Sequence, residues 1–63
     1  MRHKDRIEIN PNILVGKPII KGTRISVEFI LELLTSGWDT EQILKNYLQL
    51  TKEDILAAIE YSL

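Results

Sequence analysis

The feature that most constrains the fold of this 63-residue sequence is a change of hydrophobic period at Ser26. Before Ser26, turn-forming Asn, Pro and Gly separate short segments: Ile7 and Ile9 around Glu8, and the apolar runs at residues 13–15 and 19–20. Alternating and β-branched residues between turn formers are typical of short strands. After Ser26, apolar residues recur at i, i+3, i+4 and i+7, which is helical spacing. The sequence therefore predicts strands first and helices afterwards.

A tight turn is expected within the strand region. Lys21 and Gly22 separate the apolar pair at residues 19–20 from residues 24–25. This spacing suits a β-hairpin in which Gly22 adopts a positive φ, because glycine has no Cβ to clash there. Residues 7–25 are therefore predicted to form short strands and a hairpin.

Start and stop signals divide the remaining chain into three helices. Ser26 is a typical N-cap, and Gly37 is a typical residue to follow the end of that helix. Asp39 or Thr40 is expected to begin the second helix, and Thr51 the third. The apolar residues expected to face the core from these two helices are Ile43, Leu44, Tyr47, Leu48, Ile55, Leu56 and Ile59, with Leu63 as a further candidate.

The length allows one domain, residues 1–63, and little stability. A chain of this size buries only about 60% of its unfolded surface, and it has no cysteine for a disulfide. Self-association is therefore predicted to supply stability. The prediction is a mostly helical α+β domain that forms a homodimer, with a flexible basic arm at residues 1–6, strands and a hairpin at 7–25, and three helices at 26–63. Its candidate interface residues are Ile19, Ile20, Phe29 and Leu33.

Catalysis is not expected. The chain has one histidine, His3, no cysteine, and three serines at predicted helix ends, where capping accounts for them. A nucleophile needs a base within hydrogen-bond reach, and the sequence offers no such pair. No catalytic residue, cofactor site or metal site is therefore predicted. No segment has the apolar length of a signal peptide or a membrane span, so the expected location is the cytoplasm, with no membrane partner.

Charge is distributed unevenly although the net charge is only −1. Residues 1–24 contain six basic and two acidic residues, whereas residues 25–63 contain two basic and seven acidic residues. Such asymmetry can mark a basic face for an anionic partner and an acidic face for a cationic one. A solvated surface with packing between copies would give the same pattern.

Residues 27–48 have the pattern of a helix, a glycine-containing turn and a second helix, which is typical of a helix-turn-helix motif and also of a simple corner between two helices. The third helix is a poor candidate for reading DNA because its carboxylates would repel phosphates. The candidate DNA-contacting residues are Arg2, Lys4 and Arg6 in the arm, Lys17, Lys21 and Arg24 in the hairpin, and Thr40, Gln42, Lys45 and Asn46 in the second helix.

The run from Gly16 to Val27, with its Gly-Lys-Pro and Gly-Thr-Arg elements, is distinctive. The sequence surrounds it with Ile7-Glu8-Ile9-Asn10-Pro11 before, and with Gly37-Trp38, Ile43-Leu44, Tyr47, Leu50-Thr51 and Asp54-Ile55 after. With these elements the chain resembles the small prokaryotic family known as domain of unknown function 433, over about residues 7–63.

The resemblance implies a β-hairpin followed by a homeodomain-like helix-turn-helix bundle, and a role like that of antitoxins in type II toxin–antitoxin pairs. The leading hypothesis is therefore a DNA-binding regulator that represses its own operon and binds a PIN-like ribonuclease toxin. The alternative is a dimeric protein–protein adaptor that does not bind DNA. The acidic third helix and the near-neutral net charge favour that alternative.

Overall fold

The computed structural model describes the backbone of residues 3–63 and the side chains of residues 5–63. Two strands, β1 (Ile7–Ile9) and β2 (Pro18–Ile20), precede three helices. The helices are α1 (Val27–Thr35), α2 (Thr40–Asn46) and α3 (Lys52–Tyr61). The predicted small α+β fold, with strands before three helices, is confirmed.

The sheet consists of β1 and β2 in antiparallel register, with Ile7 opposite Ile20 and Ile9 opposite Pro18. The tight turn after β2 contains Gly22 at φ 79°, and the Thr23 N–H donates to the Ile20 carbonyl (3.0 Å). Beyond this turn the chain forms only one isolated bridge, Ile19 to Ser26, before α1 begins. The predicted positive φ at Gly22 is therefore confirmed, but the two paired strands are joined by residues 10–17.

Residues 13–15 were expected to form a strand, and this expectation is wrong. Leu14, Val15 and Gly16 adopt φ values of 50°, 56° and 77°, so the chain makes a short left-handed turn. The Gly16 N–H donates to the Ile13 carbonyl (3.1 Å), and the Lys17 N–H donates to the Leu14 carbonyl (3.2 Å). These turn hydrogen bonds reverse the chain between β1 and β2, and they outweigh the β propensity of the apolar run.

The predicted helix starts are confirmed at the level of single hydrogen bonds. The Ser26 hydroxyl accepts from the Phe29 N–H (2.9 Å). Asp39 starts α2 in a reciprocal capping box with Gln42. Thr51 starts α3 in the same way with Asp54. Each box satisfies backbone N–H groups that the helix itself leaves unpaired.

The end of α1 is a Schellman motif. The Gly37 N–H donates to the Leu34 carbonyl (3.1 Å), and the Trp38 N–H donates to the Leu33 carbonyl (3.0 Å). Gly37 has a φ of 101°, a left-handed conformation that only glycine adopts without strain. The expected helix end at Gly37 is therefore confirmed.

The core lies between β2 and the three helices. Its buried members are Ile20, Val27, Ile30, Ile43, Leu50, Ile55 and Ala58. Leu48 was expected to join them but is 86% exposed. The helix α2 ends at Asn46, so Leu48 lies outside it and is not on its buried face. No helix in the described part of the chain is long and apolar enough to cross a membrane.

The inward face of α3 also differs from the prediction. Leu56, Ile59 and Leu63 are exposed, whereas Ala57 and Ala58 are fully buried. The small alanine side chains let α3 pack closely against the other elements, so the helix turns its larger apolar residues outward.

The residues before β1 pack against α3. His3–Arg6 forms a 3₁₀ turn, although the sequence suggests a flexible arm here. The Arg6 guanidinium donates to the Asp54 carboxylate, with 3.1 Å between Nη1 and Oδ1. Asp54 is only 5% exposed. A carboxylate this buried needs polar partners, and Arg6 is one of them.

Candidate functional site

Some of the cations expected to contact DNA form ion pairs within the chain, and others do not. Arg2 lies outside the described residues, as does the side chain of Lys4. Arg6 is bound to Asp54, and Lys17 donates to the Glu28 carboxylate at 2.9 Å. The structure therefore uses Arg6 and Lys17 in contacts within the chain, where a phosphate would have to compete with a carboxylate.

Lys21 and Arg24 form a second group at the turn after β2. Both are exposed and stand on either side of Gly22. Within the described residues neither forms an ion pair. Lys45, near the end of α2, is likewise exposed and unpaired there. Of the candidate DNA-contacting cations whose side chains the structure describes, these three form no ion pair, so their charge remains available to an anionic partner.

The polar residues of α2 are partly occupied by its own backbone. The Gln42 side-chain oxygen accepts from the Asp39 N–H (3.2 Å) in the capping box. The Asn46 side-chain amide donates to the Gln42 carbonyl (2.8 Å). Thr40 is half-buried. Base-edge contacts by Gln42 and Asn46 would break these local bonds, which compete with any external partner.

The residues expected at a dimer interface are not all on the surface. Ile19 and Ile20 are each 1% exposed within a single chain. They cannot present side chains to a partner, because β2 is covered on both faces by its own chain. Phe29 is half-buried and packs edge-on against Tyr47, with ring centroids 5.5 Å apart. Leu33 is half-buried against the core.

A shallow groove of about 360 Å³ lies where β2, α1 and the end of α3 meet. Its apolar walls are Pro18, Val27, Leu31 and Tyr61. Lys17 and Glu28 also line it and carry the ion pair described above. The sequence gives no signal of this groove, because its walls come from three distant segments.

Two further apolar surfaces face solvent. The left-handed turn before β2 carries Leu14 and Val15, and Val15 is 93% exposed. The outer side of α3 carries Leu56 and Ile59, with Glu53 one turn earlier. The sequence predicted a strand for the first surface and a buried position for the second. The structure shows both of them exposed.

A model of a family described as protein of unknown function, DUF433, matches residues 7–62. The chain belongs to the DUF433 family. This match confirms the resemblance drawn from the Gly-Lys-Pro and Gly-Thr-Arg elements. No curated protein matches the sequence.

A solved structure is similar in fold to this DUF433 chain. It is the crystal structure of a DUF433 member protein from Anabaena variabilis ATCC 29413, with a TM-score of 0.85 and 36% sequence identity. The similarity covers 89% of this chain and 55% of that chain. This chain therefore spans little more than half the length of that relative.

The groove ion pair changes the titration of Lys17. The hydrogen bond to Glu28 raises the pKa of Lys17 above the ordinary value of 10.5, and the charge of Glu28 adds to this effect. Desolvation opposes these two effects and lowers the pKa, and the charge of Glu32 raises it by a still smaller contribution. Because the folded pKa is raised, the contribution of the pair to stability is present below pH 10.5 and is lost as the pH rises through the folded pKa.

Glu28→Gln is expected to lower the pKa of Lys17 toward 10.5, because it removes the main acceptor and its charge. An NMR titration of the Lys17 side chain would measure this change. Glu41→Gln on α2 is the matched control and should leave Lys17 unchanged. An unaltered Lys17 pKa in Glu28→Gln would contradict the assigned cause.

Proposed function

We propose that this DUF433 protein is an antitoxin-like regulator that acts by binding other macromolecules and does not catalyse a reaction. In this proposal it binds a PIN-like ribonuclease and, on DNA upstream of its own gene, represses its operon. The observation that carries the proposal is the outer face of α3, where exposed apolar side chains lie beside carboxylates.

The face of α3 suits a cationic protein partner. Leu56 and Ile59 are exposed, and Glu53 forms no ion pair within the described part of the chain. A nuclease that binds RNA needs a positive surface for the phosphates, and an acidic face is complementary to such a surface. Apolar residues among charges then supply the buried contact area that a stable complex requires.

The operator-binding part of the proposal is supported by Lys21, Arg24 and Lys45, whose charges remain available. The helices α1 and α2 are joined by residues 36–39, a length that fits a helix-turn-helix. Phosphate contacts dominate DNA affinity and each one adds to its salt dependence. With Arg6 and Lys17 engaged elsewhere, one chain offers few such contacts, so protein binding is the better-supported activity.

Leu56→Arg is expected to abolish neutralisation of the ribonuclease, because it places a cation in the proposed interface. The measurement is growth of cells that co-express this protein with the PIN-like ribonuclease of the same operon. Leu48→Arg is the matched control, since Leu48 is also an exposed leucine but lies outside α3. Equal protection by Leu56→Arg and wild type, or an operon without such a ribonuclease, would contradict the proposal.

Lys21→Ala and Arg24→Ala are each expected to weaken binding to DNA from upstream of the gene by about tenfold, whereas Lys17→Ala should have little effect. Fluorescence anisotropy at about 50 and about 200 mM salt would measure this, with a scrambled duplex as control. Specific binding that falls steeply with salt supports operator recognition.

The second candidate function is a protein–protein adaptor without DNA binding. The engagement of Arg6 and Lys17 in ion pairs within the chain favours it. Equal binding to operator and scrambled duplexes, even at the lower salt concentration, would support the adaptor and exclude operator recognition by this chain.

A further inference from the structure

The outward face of α3 carries apolar residues at the spacing of a heptad. Leu56, Ile59 and Leu63 are 40%, 38% and 97% exposed, and they are separated by three and four residues. At 3.6 residues per turn they fall within about 60° of one another around the helix axis. Leu63 continues the line of the helix, because its N–H donates to the Glu60 carbonyl (3.2 Å). These three side chains form one apolar strip, the α3 stripe.

The α3 stripe is held in place from behind. On the inward side of the helix, Ala57 and Ala58 are fully buried and Ile55 is 2% exposed. Asp54 fixes the first turn through its capping box and its hydrogen bond from the Arg6 guanidinium. Because the helix is packed in this way, a partner meets a preformed surface and does not have to order it.

The two edges of the α3 stripe differ in charge. Glu53 and Glu60 both lie about 60–80° from the centre of the stripe, on the same side of the helix. The other side carries Ile55 and Ser62. The last turn of α3 has no basic residue, and Lys52 at its start is the one cation of the helix. An acidic edge beside apolar side chains is complementary to a surface on which cations border apolar residues.

We propose that the α3 stripe is the docking site for an amphipathic helix of a partner protein that carries lysine or arginine along one edge. Side chains spaced three and four residues apart interdigitate with the same spacing on a second helix, as in a coiled coil. The rise from Leu56 to Leu63 is about 10 Å, which is two turns of such a partner. The cations of the partner helix then pair with Glu53 and Glu60.

A basic helix fits this surface better than the other candidate occupants. A nucleic acid would place its phosphates against the acidic edge, which repels them. A second copy of α3 would bring three more carboxylates and one lysine, so it offers few cations to Glu53 and Glu60. The charge of the edge therefore favours a basic helix over both.

The identity of the partner rests on the proposed function, in which this helix belongs to the ribonuclease. Helix docking is measured without the ribonuclease, on the full chain and with synthetic peptides, so that the two proposals can fail separately.

The probe is a peptide of about 15 residues, with leucine at heptad positions a and d, lysine along one edge and alanine elsewhere. Two comparison peptides replace the lysines by glutamate or place a proline at the centre, which breaks the helix. Fluorescence anisotropy measures the binding of each peptide to the full chain. The lysine peptide is expected to bind about tenfold more tightly than either comparison peptide.

Variants of the chain locate the contact. Leu63→Ser should raise the Kd of the lysine peptide about tenfold, and the fold should be unaffected because Leu63 is almost fully exposed. Glu53→Gln should raise the Kd about threefold and reduce its dependence on salt. The matched controls are Leu48→Ser and Glu41→Gln, which remove an exposed leucine and an exposed carboxylate outside α3. Both controls should leave the Kd unchanged.

Equal binding of the three peptides would overturn helix docking, as would a Leu63→Ser variant that binds the lysine peptide as tightly as wild type. Self-association of the chain that Leu63→Ser abolishes in sedimentation velocity would also overturn it, because a second copy would then cover the stripe.

The growth assay with Leu56→Arg separates this result from the proposed function. Preference for the lysine peptide without protection from the ribonuclease supports helix docking and contradicts the proposed function. Protection that Leu56→Arg abolishes, without any preference among the peptides, supports the ribonuclease as partner and overturns helix docking.

Discussion

The carboxylate of Asp54 is the point on which this small fold depends. It is 5% exposed, accepts from the Thr51 N–H at 3.0 Å to begin α3, and accepts from the Arg6 guanidinium at 3.1 Å. Burying a charge is costly unless it is paired and hydrogen-bonded, and this carboxylate meets both conditions. One side chain thereby joins the start of the last helix to the residues immediately before β1.

The ion pairs within the chain also limit which partners the surface can bind. Arg6 and Lys17 pair with carboxylates of their own chain, so a basic N-terminal half does not amount to a continuous basic face. In the described part of the chain, Lys21 and Arg24 are the cations of that half that form no ion pair. Since the apolar residues of α3 and of the left-handed turn are exposed, contacts with proteins are better supported than contacts with DNA.

The sequence predicted the helix starts correctly, but it did not predict the left-handed turn or the contacts between distant segments. Ser26 and Thr51 cap helices through hydrogen bonds that span three residues, so the sequence is sufficient to find them. The strand expected at residues 13–15 and the burial expected of Leu48 were both wrong, because an apolar run does not show whether its backbone turns or where its helix ends. The groove and the Arg6 partner of Asp54 join segments far apart in sequence, and a single sequence carries no signal of such pairs.

Native-state hydrogen exchange of Asp54→Asn tests the central role of this carboxylate most directly, with Glu53→Asn as the control. Asp54→Asn is expected to lower the free energy of unfolding by about 2 kcal/mol. Exchange should become faster both in the first turn of α3 and at the Lys21 N–H, which donates to the Arg6 carbonyl. Faster exchange confined to α3, with the β1–β2 amides unchanged, would contradict a role for Asp54 in joining α3 to the sheet.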